Sequence, residues 1–356
     1  MSDNELNKKR RQIEHFFSID LLRFGSSLAV IIWHFRTFDN DSTENLPFYN
    51  VLAPLYNHGG QAVLLFWSIS GFILSRVYLE SSTTKRNFLV SRFSRLYPLS
   101  LLTLFLMLLL NTIAKSLDLK VPNSQNNDVK HFLLNLFGIP YIGFQSGFSF
   151  NVPFWSVSVE VFSYLLFILL LRYLNLYTVA TLIIMFALIF KEAQVFIQPE
   201  IAQCGFYFFF GVFTHKLHEV YAKYILWISL VFFLMNYLIN ISSSEIVHKF
   251  TDTGLSSVLP MQGILLLFLS FENFLRNLSK RTREFIKLLG NLTYSSYLLH
   301  FPMQFTVFMF VRDGDQFLKP VHLISFLIAV YGLSGLVYRF YEFPLRDWIN
   351  RILGRR

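Results

Sequence analysis

Charge is scarce in this chain. Asp, Glu, Lys and Arg make up 15% of its 356 residues, where soluble domains carry about a quarter. That scarcity excludes an ordinary soluble enzyme and points to an integral membrane protein. Cysteine is nearly absent as well. Cys204 stands alone in an apolar run, so no intrachain disulfide can form, and it reads as a packing residue. No stretch is strongly acidic or Gly/Ser-rich, and no segment the size of a soluble domain lies between apolar runs. Metal-ligand spacings are missing too, with no HExxH, no cysteine pair and no DxxD, so no metal is expected. The chain also lacks a repeat of fixed period and lacks paired broken helices, which weakens a transporter reading.

What the chain does have is apolar length. Hydrophobic residues make up 54% of it, 42 of them Phe, and mean hydropathy is +0.46. Ten segments approach or reach the roughly 20 residues that cross a hydrocarbon core. They lie at about 17–37, 61–79, 96–115, 154–174, 177–191, 201–217, 223–241, 255–274, 292–311 and 321–341. The expected fold is therefore all-α and polytopic, with about ten transmembrane helices.

The net charge of +9 would suggest nucleic acid in a soluble protein, but its distribution here excludes that partner. With the N-terminus in the cytoplasm, ten spans put 22 Lys and Arg on the cytoplasmic side and 8 opposite, with Arg23 inside the membrane. Such bias orients membrane proteins and puts both termini inside. Residues 1–16 and 346–356 then read as basic cytoplasmic tails flanking one membrane domain, 17–345. A secretory signal is the other reading of the basic start. Against it, the first apolar segment holds Asp20, Arg23 and His34, and no small-residue cleavage site follows.

Polar residues that hydropathy does not explain carry the chemistry. Arg23 and His34 stand eleven residues apart in SIDLLRFGSSLAVIIWHFRTF. Eleven helical steps return to within about 20° of the same face, roughly 16 Å along the axis. Ionisable residues in spans cost about 2.5–3.5 kcal/mol on insertion scales and usually face a protein interior or watery cavity. The column therefore suits a long charged ligand. Its bland counterpart has Arg23 snorkelling and His34 capping the far end.

Arg92 and Arg95, in LVSRFSRLYPLS at the mouth of the third span, share a face at i and i+3. Paired guanidiniums grip phosphates, though anionic lipid or simple positive-inside bias would also account for them. If the first and third helices pack together, Arg23 joins them in one cationic pocket. Glu160, in FWSVSVEVFSY, lies two turns below the outer surface, in the leaflet of His34. A carboxylate bonded to the imidazole would make a general base; a plain interhelical hydrogen bond is the other reading.

Tyr294, Tyr297 and His300 repeat every three residues in LGNLTYSSYLLHFP, forming a polar stripe that ends mid-membrane. Cavity lining and a satisfied core histidine stand side by side there. Glu342 and Pro344, in YRFYEFPLRDW, read as helix termination and ion pairing with a nearby Arg. The outer loop 116–153 runs from a polar half into HFLLNLFGIPYIGFQSGFSF, too broken to span. It reads as interfacial or re-entrant, a lid over an acceptor site.

Taken together these landmarks resemble the acyltransferase 3 family of bacterial membrane O-acyltransferases. The matching residues follow the family's order: Asp20 to Arg23 with His34, Phe66 to Phe72, Arg92 to Pro98, Trp155 to Glu160, Gly290 to His300, and Tyr341 to Pro344. The resemblance implies a multi-pass enzyme of the bacterial inner membrane. It would move an acyl group, most often acetyl from acetyl-CoA, to a hydroxyl of a cell-surface saccharide or lipid-linked saccharide.

Carried over by position, Arg23, Arg92 and Arg95 would hold the acyl-CoA donor and His34 would be the catalytic base, which the residue reading above pairs with Glu160. Asp20, Tyr294, Tyr297 and His300 would line the cavity. Some members carry a soluble C-terminal hydrolase-like domain. Twelve residues follow Pro344 here, so direct transfer or a separate partner protein is the expectation. The reading from another class is a non-enzymatic exporter or flippase of a lipid-linked saccharide, and CoA dependence separates the two.

Overall fold

A computed structural model describes residues 15–38, 45–79, 83–119, 126–145, 147–192, 198–241, 257–310 and 318–354. Most of the N-terminal basic tail, the last two residues of the C-terminal one, and Lys120, Lys249 and Arg312 of the charge count lie outside the described residues. So do parts of the outer loop, residues 120–125 and 146. The described chain is all-helical, with 86% helix and no strand.

Each of the ten apolar segments forms a helix. In chain order the helices are α1 (Phe17–Phe35), α2 (Tyr49–His58), α3 (Ala62–Tyr78), α4 (Lys85–Ser116) and α5 (Val129–Leu136). Next come α6 (Phe154–Leu170), α7 (Leu176–Glu192), α8 (Pro199–Tyr221), α9 (Ile225–Ile241) and α10 (Val258–Ser270). The last four are α11 (Glu272–Arg276), α12 (Lys280–Phe310), α13 (Pro320–Val337) and α14 (Phe343–Leu353).

By length and composition, seven helical runs are long and apolar enough to cross a membrane, against ten apolar segments in the sequence. Part of the difference is continuity, since α8 and α9 form one run, Pro199–Ile241. Part is length, since the apolar stretch of α7, Leu176–Phe190, is short. The third case is α12, which does not qualify although it runs for 31 residues. Its Thr293, Ser295, Ser296, His300 and Gln304 dilute the hydropathy, and all five are buried against protein rather than turned to lipid.

Glycine sets the closest helix crossing. A Cβ at Gly71 of α3 would collide with the Phe208 carbonyl of α8, and one at Gly211 of α8 with the Ser68 carbonyl of α3. Small residues let membrane helices approach backbone to backbone. Around this contact Trp67, Phe88, Phe167 and Phe208 fill the core. Leu109, Trp227, Leu234, Leu238 and Ile328 face outward, as lipid-facing residues do.

Two further features position the site. The N-terminus of α1 has no side-chain cap of its own, and a carboxylate from far along the chain caps it instead. Glu272 accepts from the amides of Ser18 (2.9 Å) and Phe17 (3.3 Å) and from Ser18 Oγ (2.7 Å). It is held in turn by Arg276 Nε at 2.9 Å. A buried anion at a helix N-terminus satisfies orphan amides and opposes the helix dipole.

In α12, Pro302 cannot donate a backbone hydrogen bond, which frees the carbonyl four residues earlier. That carbonyl, of Leu298, accepts from Asn151 Nδ2 at 3.0 Å. The segment before α6 is thereby tied to the helix two residues from His300. The same segment folds back along α4, where Phe132 meets Phe105 and Tyr97 Oη donates to the Leu136 carbonyl at 2.7 Å.

Candidate active site

Arg23, Arg92 and Arg95 line one cavity, the pocket expected if the first and third apolar helices pack together. The ninth apolar helix, α12, packs along α1 and also against α4, so the three guanidiniums converge across the cavity. Arg92 and Arg95 also lie within α4, which begins at Lys85, and not in a loop before it. Arg92 Nε is buried without a hydrogen-bond partner, a donor set to meet an incoming acceptor. Arg23 Nη1 stands 4.0 Å from Asp20 Oδ1. Asp20 does not line the cavity. It bonds His15 Nε2 and packs on Gly290 of α12, where a Cβ would strike its carboxylate.

Tyr294 and Tyr297 line the same cavity. Tyr294 Oη donates to the Leu96 carbonyl of α4 at 2.7 Å. Ser156 Oγ donates to the Pro153 carbonyl at 3.1 Å, so in its 2.7 Å contact with Tyr297 Oη the tyrosine is the donor.

Glu160 corrects the expectation placed on it. It lines the arginine cavity, with Tyr164 and Ser70 among its neighbours, and its Oε1 is buried with no hydrogen-bond partner. It does not bond His34. Depth along a helix did not reveal which way that helix is turned, and α6 turns Glu160 toward the cations.

The partner of His34 is His300. His34 Nδ1 lies 3.0 Å from the Val30 carbonyl and 3.3 Å from His300 Nε2. His300 Nδ1 lies 3.2 Å from the Ser296 carbonyl. Carbonyls only accept, so both rings carry their proton on Nδ1. His300 Nε2 is then an acceptor for the His34 N–H, and His34 Nε2 keeps a bare lone pair. His300 is completely buried and acts on His34 from behind. The backbone of His34 is held as well, since its carbonyl accepts from Gln304 Nε2 at 2.7 Å and from Thr37 Oγ1 at 2.8 Å.

His34 opens onto two further cavities. The larger, of about 430 Å³, is lined by Trp33, Arg36, Asn57, Gln61, Phe148 and Trp155 among others. The smaller, of about 190 Å³, lies against α12 at Phe301, Gln304 and Phe305. Trp67 and Tyr297 line both the arginine cavity and the larger histidine cavity. The column on α1 thus has its cation in one cavity and its imidazole in the next, with a shared wall between.

A family model described as an acyltransferase domain matches residues 16–339. The chain belongs to the acyltransferase 3 family. No curated protein and no solved structure matches it. Membership makes it a membrane acyltransferase.

In this acyltransferase the YEFP segment departs from its expected role. Tyr338–Glu342 form a π-helical turn just before α14. Glu342 is buried and accepts from Ser295 Oγ of α12, while Tyr341 Oη donates to the Pro98 carbonyl at 3.0 Å. It is an internal joint of the arginine-bearing half and makes no ion pair among the described residues. Sequence reasoning missed Glu272, Asn151, Gln304 and the Ser27–Ser296 contact at 2.7 Å. Asn151 had a signal, the carbonyl freed by Pro302, and the others had none.

Proposed function

We propose that this enzyme transfers an acetyl group from cytoplasmic acetyl-CoA to a hydroxyl of a cell-surface glycan or lipid-linked saccharide. In this reading the chain crosses a bacterial inner membrane ten times with both termini in the cytoplasm. The observation that supports it best is the pair of adjoining cavities. Three arginines occupy one, a histidine with a free Nε2 occupies the next, and the shared wall is Trp67 and Tyr297.

The donor residues fit a phosphorylated carrier. Arg23, Arg92 and Arg95 offer planar guanidiniums to its phosphates, and the unpartnered Nε of Arg92 is an additional donor. The pantetheine arm then runs past Trp67 and Tyr297 and brings the thioester to His34. His34 Nε2 takes the proton of the acceptor hydroxyl as its oxygen attacks the thioester carbonyl. An ester C–O bond forms, the C–S bond breaks, and the thiolate of CoA recovers the proton from the imidazolium. Positioning and proton transfer are the two contributions of the protein.

The test is transfer of radiolabelled acetyl from acetyl-CoA in inverted membrane vesicles supplied with cell-derived glycans. Labelling by the wild type that both His34→Ala and Arg23→Ala abolish supports the reading. No labelling by wild-type protein shown to be present overturns the acetyl-CoA assignment.

A further inference from the structure

Resting on the acyl-transfer reading, we propose that the acceptor is an anionic saccharide whose negative charge is bound by Arg36 while a neighbouring hydroxyl meets His34. Arg36 follows His34 by two residues, in the 3₁₀ turn Arg36–Phe38 that ends the first apolar helix. It lines both cavities onto which His34 opens. None of the residues lining either cavity is Asp or Glu. This differs from the arginine cavity, where Glu160 is part of the wall.

The guanidinium is held by neutral groups among the described residues. It lies over the Trp33 ring at 4.7 Å, and its Nη1 donates a long 3.4 Å bond to the Tyr56 carbonyl. Trp33 is itself fixed from behind, because Gly59 and Gly60 leave no room for a Cβ against it. No described carboxylate lies within ion-pair distance of Arg36. A cation held on an indole face, in a cavity whose lining has no acid, is a site for an anion.

The rest of the lining fits a sugar. Trp33, Phe148 and Trp155 present flat apolar faces, and Asn57, Gln61 and Gln203 bring amides that both donate and accept. In the smaller cavity Gln304 is oriented by donating Nε2 to His34 O and to Thr37 Oγ1. Its buried Oε1 is left without a donor, which a sugar hydroxyl would supply.

Two sources of the charge are chemically equivalent at this site, a uronate carboxylate and a phosphate. Purified protein is titrated with methyl β-glucuronide, glucose 6-phosphate and methyl β-glucoside, and acetylation of the same three sugars is followed in membranes. The wild type is expected to bind at least one charged sugar about tenfold tighter than the neutral one, the scale of one charge-assisted bond. The tighter of the two charged sugars identifies the source. Arg36→Gln is expected to remove the preference, and Arg36→Lys to keep part of it.

Equal binding of charged and neutral sugars, or binding of none, overturns the proposal. A preference that survives Arg36→Gln belongs to the other arginines and overturns it equally. Arg36-dependent preference without acetylation sustains the anion site and removes the acetyl-transfer reading. Acetylation without charge preference does the reverse.

Discussion

Around Arg23, Arg92 and Arg95 the chain sets a buried carboxylate, Glu160, and three tyrosines, with a second buried carboxylate, Glu342, behind them. Around His34 it sets indoles, amides and a second imidazole, with no carboxylate in the walls. The first arrangement offsets the cost of keeping guanidiniums in a membrane interior, since opposite charge nearby compensates lost hydration. The second keeps a neutral base neutral. A carboxylate on His34 would strengthen its basicity, but the Val30 carbonyl and His300 Nε2, which share the one Nδ1–H, supply only lone pairs and hold the tautomer without adding charge. In the proposed reaction the two cavities divide the work between holding a charged donor and moving one proton.

Replacing the base gives the largest effect on this division. His34→Ala is expected to lower the rate of acyl transfer by about 10²- to 10⁴-fold, the usual contribution of a positioned general base. Donor affinity should change little, because the alanine lies outside the arginine cavity. Steady-state assays over donor concentration check both halves, and a loss confined to donor KM would erase the division. Arg95→Gln should show the opposite pattern. Charge-assisted hydrogen bonds contribute about 1.5–3 kcal/mol each, so donor KM should rise about ten- to a hundredfold with a smaller change in kcat.

His300→Ala tests whether the second imidazole acts only through the first. Loss of one buried hydrogen bond is worth about 0.5–1.5 kcal/mol, so kcat should fall about three- to tenfold. His300→Gln, whose carbonyl can still accept from His34 Nδ1–H, should recover part of it. Equal losses in the two variants would make His300 a packing residue. Glu160→Gln sharpens the comparison with a smaller effect. Removing a negative charge from the arginine cavity should lower donor KM by a few fold, leaving kcat nearly unchanged. A collapse of kcat instead would restore Glu160 as the partner of His34.

The apolar segments were readable as helices because a bilayer demands long apolar runs, and the three arginines stood out as cations beside or within them, although anionic lipid or positive-inside bias also accounted for Arg92 and Arg95. Helical period also put Arg23 and His34 on one face correctly, and the structure places each in a cavity. What period could not supply is the rotation of one helix relative to another. Glu160 was assigned to His34 on depth alone, and a turn of α6 sends it to the arginines. His300 was read as lining the cavity or as a core histidine; it is completely buried and lines none of the three cavities, and its pairing with His34 spans 266 residues and leaves no local trace. The seven qualifying runs tell the same story from the other side. α12 is the helix that carries most of the site's polar contacts, and those residues disqualify it by hydropathy.

Glu272 illustrates the last limit, because its role depends on a helix end 254 residues earlier in the chain. Its carboxylate takes two backbone amides and a hydroxyl at the start of α1. Arg23 stands five residues beyond Ser18. Glu272→Ala would leave those buried donors unmet and the Arg276 guanidinium without its acceptor. Loss of a helix cap costs about 0.5–2 kcal/mol, so Tm in detergent should fall by a few degrees and donor KM should rise modestly as α1 frays toward Arg23. Glu272→Gln keeps an acceptor oxygen and should sit between the alanine variant and the wild type on both readouts. If Tm falls while donor KM stays fixed, the cap stabilises the fold without aiming Arg23, and the arginine cavity is held by Asp20 and Gly290 instead.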